Sequence, residues 1–177
     1  MTYSSHHDCG RARSDKETPV ADARFDAVEA TVLRVARYFW QTFAVPSSQS
    51  WLRALQVAEE AACSRTPGTF GLDVLMAVQA MRHSRKSCFQ FNDPACPTCA
   101  SFLTEHERQF MHVLKCCRAG RHGTARTHAM LLCEGNCIDR FIARVEALVA
   151  QINHEDSDMV IQIRHPQVGL MKEHFSP

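Results

Sequence analysis

Cys88-Phe-Gln-Phe-Asn-Asp-Pro-Ala-Cys-Pro-Thr-Cys99 is the stretch whose reading decides the fold. It follows neither the period of a helix nor the even polarity of a disordered segment. Pro94 and Pro97 mark it as an irregular loop. It carries three of the nine cysteines and ends in Cys-x-x-Cys, a spacing that turns two sulfurs to one side. Whether this loop sits in a sheet or between helices is settled by what flanks it.

Upstream, Phe25, Val28, Val32, Val35, Phe39 and Phe43 recur at intervals of three and four, one face of a long helix beginning near Asp22. Leu33, Ala36 and Trp40 widen that face and predict a central position for it. Val45-Pro46 stops this helix, because the residue before a proline is pushed out of the helical region. Ser47–Ser50 offer the next cap, and Trp51, Leu52, Leu55, Ala58 and Ala62 give a second stripe. A third helix opens at Thr66-Pro67 or just after Gly71 and carries Leu72, Leu75, Val78 and Met81. It closes on Arg82, His83, Arg85 and Lys86, cations favoured at a helix C-terminus.

Downstream, Thr104 with Glu107 reads as a capping box, followed by Phe110, Val113, Leu114 and Cys117. After a basic turn at Arg118–Gly123, a fifth helix from about Thr124 carries Ala125, His128, Leu131 and Leu132, with Gly135 as its C′ residue. Asn136 and Asp139 cap a sixth helix built on Ile138, Phe141, Ile142, Val145, Leu148, Val149 and Ile152. The β-branched run Met159–Ile163 reads as extended. The expectation is an all-α fold, a helical bundle of about five to six helices with a central cysteine-rich loop and an extended C-terminal tail. Its parts are a disordered arm at 1–18, one helical domain at 19–153, and a tail at 154–177 docking on the body. His6, His7 and Cys9 belong to the arm.

A chain of 177 residues that is 45% hydrophobic builds a core without help from disulfides. Its net charge of +1 gives no general attraction to nucleic acid or to an anionic membrane. No apolar run reaches a membrane span and the N-terminal segment is polar, so a cytoplasmic location is expected. Thiols stay reduced there, and a cysteine cluster then means metal or redox chemistry more often than stapling. Nine is also an odd count for a complete disulfide framework. The chain has no G-x-G-x-x-G and no G-x-x-x-x-G-K, which excludes the common nucleotide folds. No helix carries Glu-x-x-His, the signature of a di-iron carboxylate bundle.

Cys96-x-x-Cys99 and Cys133-x-x-x-Cys137 both fall at chain corners, the second across Gly135. Four thiolates drawn from the two corners would suit zinc or an iron–sulfur cluster. Cys137 also opens a helix, where the dipole favours an anion. His128, on the apolar side of the fifth helix, is a substitute ligand, or a core histidine. Glu107 and Glu134 are oxygen donors with ready structural roles, in the capping box and in a last helical turn. The plain alternative for Cys133 is packing as a small apolar side chain.

The segment Phe89–Cys99 also resembles the active-site turn of glutaredoxin-like and thioredoxin-like proteins. The resemblance covers that turn alone, since helical periods flank it where those families place a sheet. It implies Cys96 as the attacking thiol and Cys99 as the resolving one. Cys96-Pro97 also resembles the Cys-Pro dipeptide of haem-sensing proteins, over two residues. Lys115, Arg118, Arg121, His122 and Arg126 form a basic turn with no interleaved aromatic, which reads as a solvated helix end rather than a nucleic-acid site.

These residues point to a small cysteine-rich protein that binds zinc or an iron–sulfur centre and acts as a sensor or regulator. No nucleophile, base and orienter stand together in the sequence, which argues for binding over catalysis. The competing readings are a thiol redox switch on Cys96 and Cys99, and a helical interaction module with structural cysteines. Each implies a protein partner or a homo-oligomer.

Overall fold

In the computed structural model, residues 14–61 and 69–164 are described, with side chains described as far as Asn153. The central element is helix α1, Ala27–Ala44. It begins later than the apolar period implies because Asp26 is the stronger cap. Its carboxylate accepts the Glu29 N–H at 2.8 Å, and the Glu29 side chain reaches back to the Asp26 N–H. Val20–Ala23 form a separate 3-10 turn ahead of it. Val32, Leu33, Val35, Ala36, Phe39 and Trp40 are all buried, as the sequence implied. Val45 closes the helix before Pro46.

Helix α2 spans Ser50–Ala61, but its buried face is not the expected one. Ala54, Val57 and Ala58 face inward, whereas Trp51, Leu52 and Leu55 are 43%, 46% and 42% exposed. Close approach explains the rotation. A Cβ built on Gly71 would lie 3.1 Å from the Ala58 Cβ and 3.3 Å from Leu55 Cδ2, so α2 and α3 approach most closely where Ala58 meets the bare Gly71 backbone. Helix α3, Thr69–Ser84, buries Phe70, Val74, Ala77, Val78 and Met81 and turns Leu72 outward. Ala62 and the Thr66-Pro67 start lie outside the described residues.

A single turn, α4, covers Pro97–Ala100 within the cysteine loop. Strand β1, Thr18–Pro19, pairs antiparallel with strand β2, Phe102–Leu103. The expectation of a disordered arm through residue 18 is therefore corrected at its inner end, where backbone pairing holds it. The Val20 N–H donates to the Ser101 carbonyl at 2.9 Å just beyond. His6, His7 and Cys9 lie outside the described residues.

Helix α5, Glu105–Arg118, starts from the predicted box of Thr104 and Glu107. Helices α6, His122–Leu132, and α7, Asp139–Arg164, complete the bundle. The tail expected to turn extended after Asn153 instead continues α7 to Arg164, which corrects the boundary at 153. No glycine or proline occurs between Asp139 and Pro166, and the β-branched run Met159–Ile163 is only a weak preference against helix. Residues 165–177 lie outside the described part.

Helix α1 packs on α2, α3 and α5, while α7 lies against α3 and α5, and α6 against α5. An aromatic line runs through the centre. Trp40 meets Phe110 edge-on at 5.3 Å between ring centroids, and Phe110 meets Phe141 at 5.7 Å. The fold is an all-α bundle, and none of its described helices is long and apolar enough to cross a membrane.

Candidate functional site

The cysteine loop is tied to this core by one buried ion pair. Arg37 lies on α1 four residues after Leu33 and three before Trp40, inside the apolar face, and Glu107 lies in the first turn of α5. Their side chains are 2% and 0% exposed. The guanidinium donates to both carboxylate oxygens, Nε to Oε1 at 2.7 Å and NH2 to Oε2 at 3.1 Å. Its remaining donors reach the Ala100 carbonyl at 2.7 Å and the Phe102 carbonyl at 2.5 Å, directly after the second cysteine. Glu107 accepts two backbone N–H groups of the loop as well, Asn92 at 3.0 Å and Thr104 at 2.8 Å. A buried pair survives only when such extra bonds satisfy the rest of both groups, and here they do.

Further bonds brace the loop from within. Buried Asn92 donates from its side chain to the Phe102 carbonyl at 2.9 Å. The Thr104 hydroxyl donates to the Gln90 carbonyl at 2.8 Å. Both ends of the segment 88–104 are thus fixed, and its outer turn holds the two cysteines.

Cys96 is the N-cap of α4, and its Sγ accepts the Cys99 N–H at 3.5 Å. Pro97 fills the first helical position, where a missing N–H costs nothing. Both cysteines are half-buried at the surface. The arrangement keeps them one turn apart, with the Ala100 N–H closing on the Cys96 carbonyl at 2.8 Å.

The second cysteine pair is divided by burial. Cys133 is fully buried at the end of α6, and burial pushes its thiol up to about 11. Cys137 is exposed, near Asp139. Cys117 is likewise held up to about 11 by burial. Cys116 is buried and Cys88 exposed. His128 gives its Nδ1 to the Gln109 side-chain oxygen at 2.6 Å and stacks on His112 with centroids 4.8 Å apart. Burial holds the His112 pKa below its ordinary value. Among the described residues, no group of three or more His, Cys, Asp or Glu side chains is placed to hold a metal ion. The structure therefore brings Cys96 and Cys99 together but does not gather them with Cys133, Cys137 and His128 into one site.

The near end of the loop meets α3 and the α6–α7 corner through Arg85. Its side chain is 4% exposed and lies 3.1 Å from the Glu134 carboxylate. It also donates to Ser87 Oγ at 2.8 Å and to the Leu132 carbonyl. Glu134 stands in the left-handed region at φ +60°. It accepts from the Ser87 hydroxyl and the Lys86 and Ser87 N–H groups, which draw its pKa down to about 2. His106 accepts the Gln90 N–H at 2.9 Å, and burial, then Arg85, hold its pKa below the usual histidine range.

Sequence reading singled out Cys96 and Cys99 and gave Glu107 its capping role, but it read Arg85 only as a helix-end cation and gave no role to Arg37 or Asn92. A signal existed for Arg37, a lone cation among the buried positions of α1. Searches against models of protein families, curated proteins and solved structures match nothing to this chain.

Proposed function

We propose that this chain is a thiol-responsive regulator, in which Cys96 and Cys99 form and release a disulfide. The observation that carries the reading is the Cys99 N–H on Cys96 Sγ, two half-exposed thiol positions preset within one turn. A small disulfide such as glutathione disulfide is the oxidant. The Cys96 thiolate attacks one of its sulfurs and expels one thiolate; Cys99 then attacks Cys96 and expels the other. Two protons and two electrons leave the protein, and the small disulfide is reduced to two thiols. The attacking role of Cys96 rests on the resemblance of this turn to glutaredoxin-like and thioredoxin-like proteins.

What makes the turn more than a pair of thiols is its anchor. Ala100 and Phe102, the carbonyls that Arg37 holds, lie one and three residues after Cys99. Closing a disulfide requires its own Cα separation and dihedral. The change this imposes falls on bonds to a buried ion pair, where lost partners are costly. The thiol state is thereby passed to α1 and α5. The exposed Trp51, Leu52, Leu55 and Leu72 support a protein partner or a second copy as the target. In the cytoplasm the resting pair would be reduced.

Peptide mapping after treatment with glutathione disulfide tests the reading. A Cys96–Cys99 bridge that dithiothreitol reopens is expected; both thiols still open to alkylation would reject it.

A second reading keeps zinc or an iron–sulfur centre on the same two thiols, with its other ligands from a second copy or a partner. The surface position of the 88–99 loop favours it. Metal analysis of protein purified without oxygen separates the two, since a bound metal protects both cysteines from glutathione disulfide.

A further inference from the structure

A cavity of about 250 Å³ lies between α1 and the outer turn of the cysteine loop. Leu33, Arg34, Arg37 and Tyr38 form its helix wall, at the spacing that puts them on one side of α1. Pro94 and Ala100 form its loop wall and bracket Cys96 and Cys99 in the chain. The cavity therefore borders the turn that carries both thiols. Its charges are unevenly answered. Arg37 is buried and fully engaged, by Glu107 and by the Ala100 and Phe102 carbonyls. Arg34 is exposed, and its side chain makes no ion pair or hydrogen bond with any described residue. Among the described residues that line the cavity there is no carboxylate. Asp93, next to Pro94, is engaged by the Ala95 N–H at 2.9 Å and by the Gln41 side chain at 3.4 Å. The half-buried Tyr38 adds a hydroxyl that has no hydrogen-bond partner among the described residues.

Thiol–disulfide exchange at Cys96 requires the oxidant to lay one of its arms beside the turn while a sulfur meets the thiolate. The cavity offers that arm apolar walls in Leu33, Pro94 and Ala100, and one accessible cation without a counter-charge. A guanidinium in that state is best matched by a carboxylate, which it can hold through two hydrogen bonds. The volume lies just below the range of ordinary ligand pockets, about 300 Å³ upward, which limits the arm to a few atoms. We infer that this cavity takes one arm of the disulfide that oxidises Cys96 and Cys99, and that the arm carries a carboxylate held by Arg34. The inference rests on the thiol reading above and names its substrate class, a small anionic disulfide. The Cys96 thiolate attacks the sulfur of the held arm, and the other arm leaves as a thiolate. The mixed disulfide keeps the first arm in place until Cys99 attacks Cys96 Sγ and expels it as the second thiolate. Two electrons pass from the cysteines to the small disulfide.

The rate at which the Cys96–Cys99 bridge forms tests it, read by peptide mapping of samples quenched over time. Dithiodipropionate is the anionic oxidant and hydroxyethyl disulfide the neutral one. The two are applied to the full-length parent, to Arg34→Gln, and to Arg53→Gln, which removes the same charge from the exposed face of α2. Comparing each oxidant with itself across the three proteins removes the difference in their intrinsic reactivity. Arg34→Gln should slow dithiodipropionate by about tenfold and leave hydroxyethyl disulfide unchanged. Arg53→Gln should match the parent with both. If the bridge forms but Arg34→Gln leaves dithiodipropionate unchanged, slows both oxidants alike, or behaves as Arg53→Gln does, the inference is overturned and the thiol reading stands. A parent protein that forms no bridge with either oxidant would overturn both.

Discussion

The Arg37 Nε lies 2.7 Å from Glu107 Oε1 with both side chains sealed from solvent, and this pair joins the apolar face of α1 to the cysteine loop. It links the second half of α1, the start of α5 and four loop backbone groups through two side chains.

Removing the charge of Glu107 leaves a buried guanidinium uncompensated. Glu107→Gln should destabilise the fold by about 3–5 kcal/mol, read by urea denaturation. The double variant Arg37→Met/Glu107→Leu should recover part of that loss. Full recovery is not expected, because the Ala100 carbonyl and the Asn92 and Thr104 N–H groups would lose their Arg37 and Glu107 partners and the Phe102 carbonyl would lose one of its donors. A Glu107→Gln protein as stable as the parent would show that the pair is not what holds the loop.

Cysteine reactivity should follow burial rather than sequence spacing. Brief alkylation of the native protein near pH 8, read by mass spectrometry, should label the exposed Cys88 and Cys137 first. Cys117 and Cys133, each raised to about 11 by burial, should label only after denaturation. Early labelling of Cys133 would remove it from the core.

The helices were legible because their apolar periods and caps are local signals, and Thr104 with Glu107 located a helix start to the residue. The phase of α2 was not, because Trp51, Leu52 and Leu55 outweigh Ala54 and Ala58 in any hydrophobic count. The inward choice was made instead by the space against Gly71. The end of α7 was misjudged because a β-branched run carries little weight inside a helix already begun. At the site, Cys96 and Cys99 were visible as a spacing. Their anchor was not, since Arg37 and Glu107 are 70 positions apart and nothing local in either predicts the other.

Gly71 should therefore be intolerant of bulk. Its added Cβ would already crowd Ala58 Cβ at 3.1 Å and Leu55 Cδ2 at 3.3 Å. Gly71→Val should cost about 1–3 kcal/mol through overpacking, seen as a lowered melting temperature. An unchanged melting temperature would mean that α2 and α3 are free to move apart.

The Glu134 carboxylate, drawn down to about 2 by Ser87, Lys86 and Arg85, makes stability depend on pH on the acid side. A carboxylate with a depressed folded pKa stabilises above its ordinary value near 4.5 and loses that contribution as pH falls toward about 2. Parent and Glu134→Gln should therefore differ in melting temperature at pH 6, with the gap narrowing as the pH approaches 2. A gap independent of pH would assign the role of Glu134 to shape rather than charge.

The central claim, that the thiol state of Cys96 and Cys99 reaches the core through Arg37 and Glu107, is tested most directly by amide hydrogen exchange. The Asn92 and Thr104 N–H groups both donate to the Glu107 carboxylate and so report on the pair. Exchange is compared between reduced protein and protein oxidised with glutathione disulfide, with Cys99→Ser as the control. The account predicts faster exchange at both amides on oxidation, reversal by dithiothreitol, and no response in Cys99→Ser. Unchanged exchange at both amides, with the Cys96–Cys99 disulfide demonstrably formed, would contradict it.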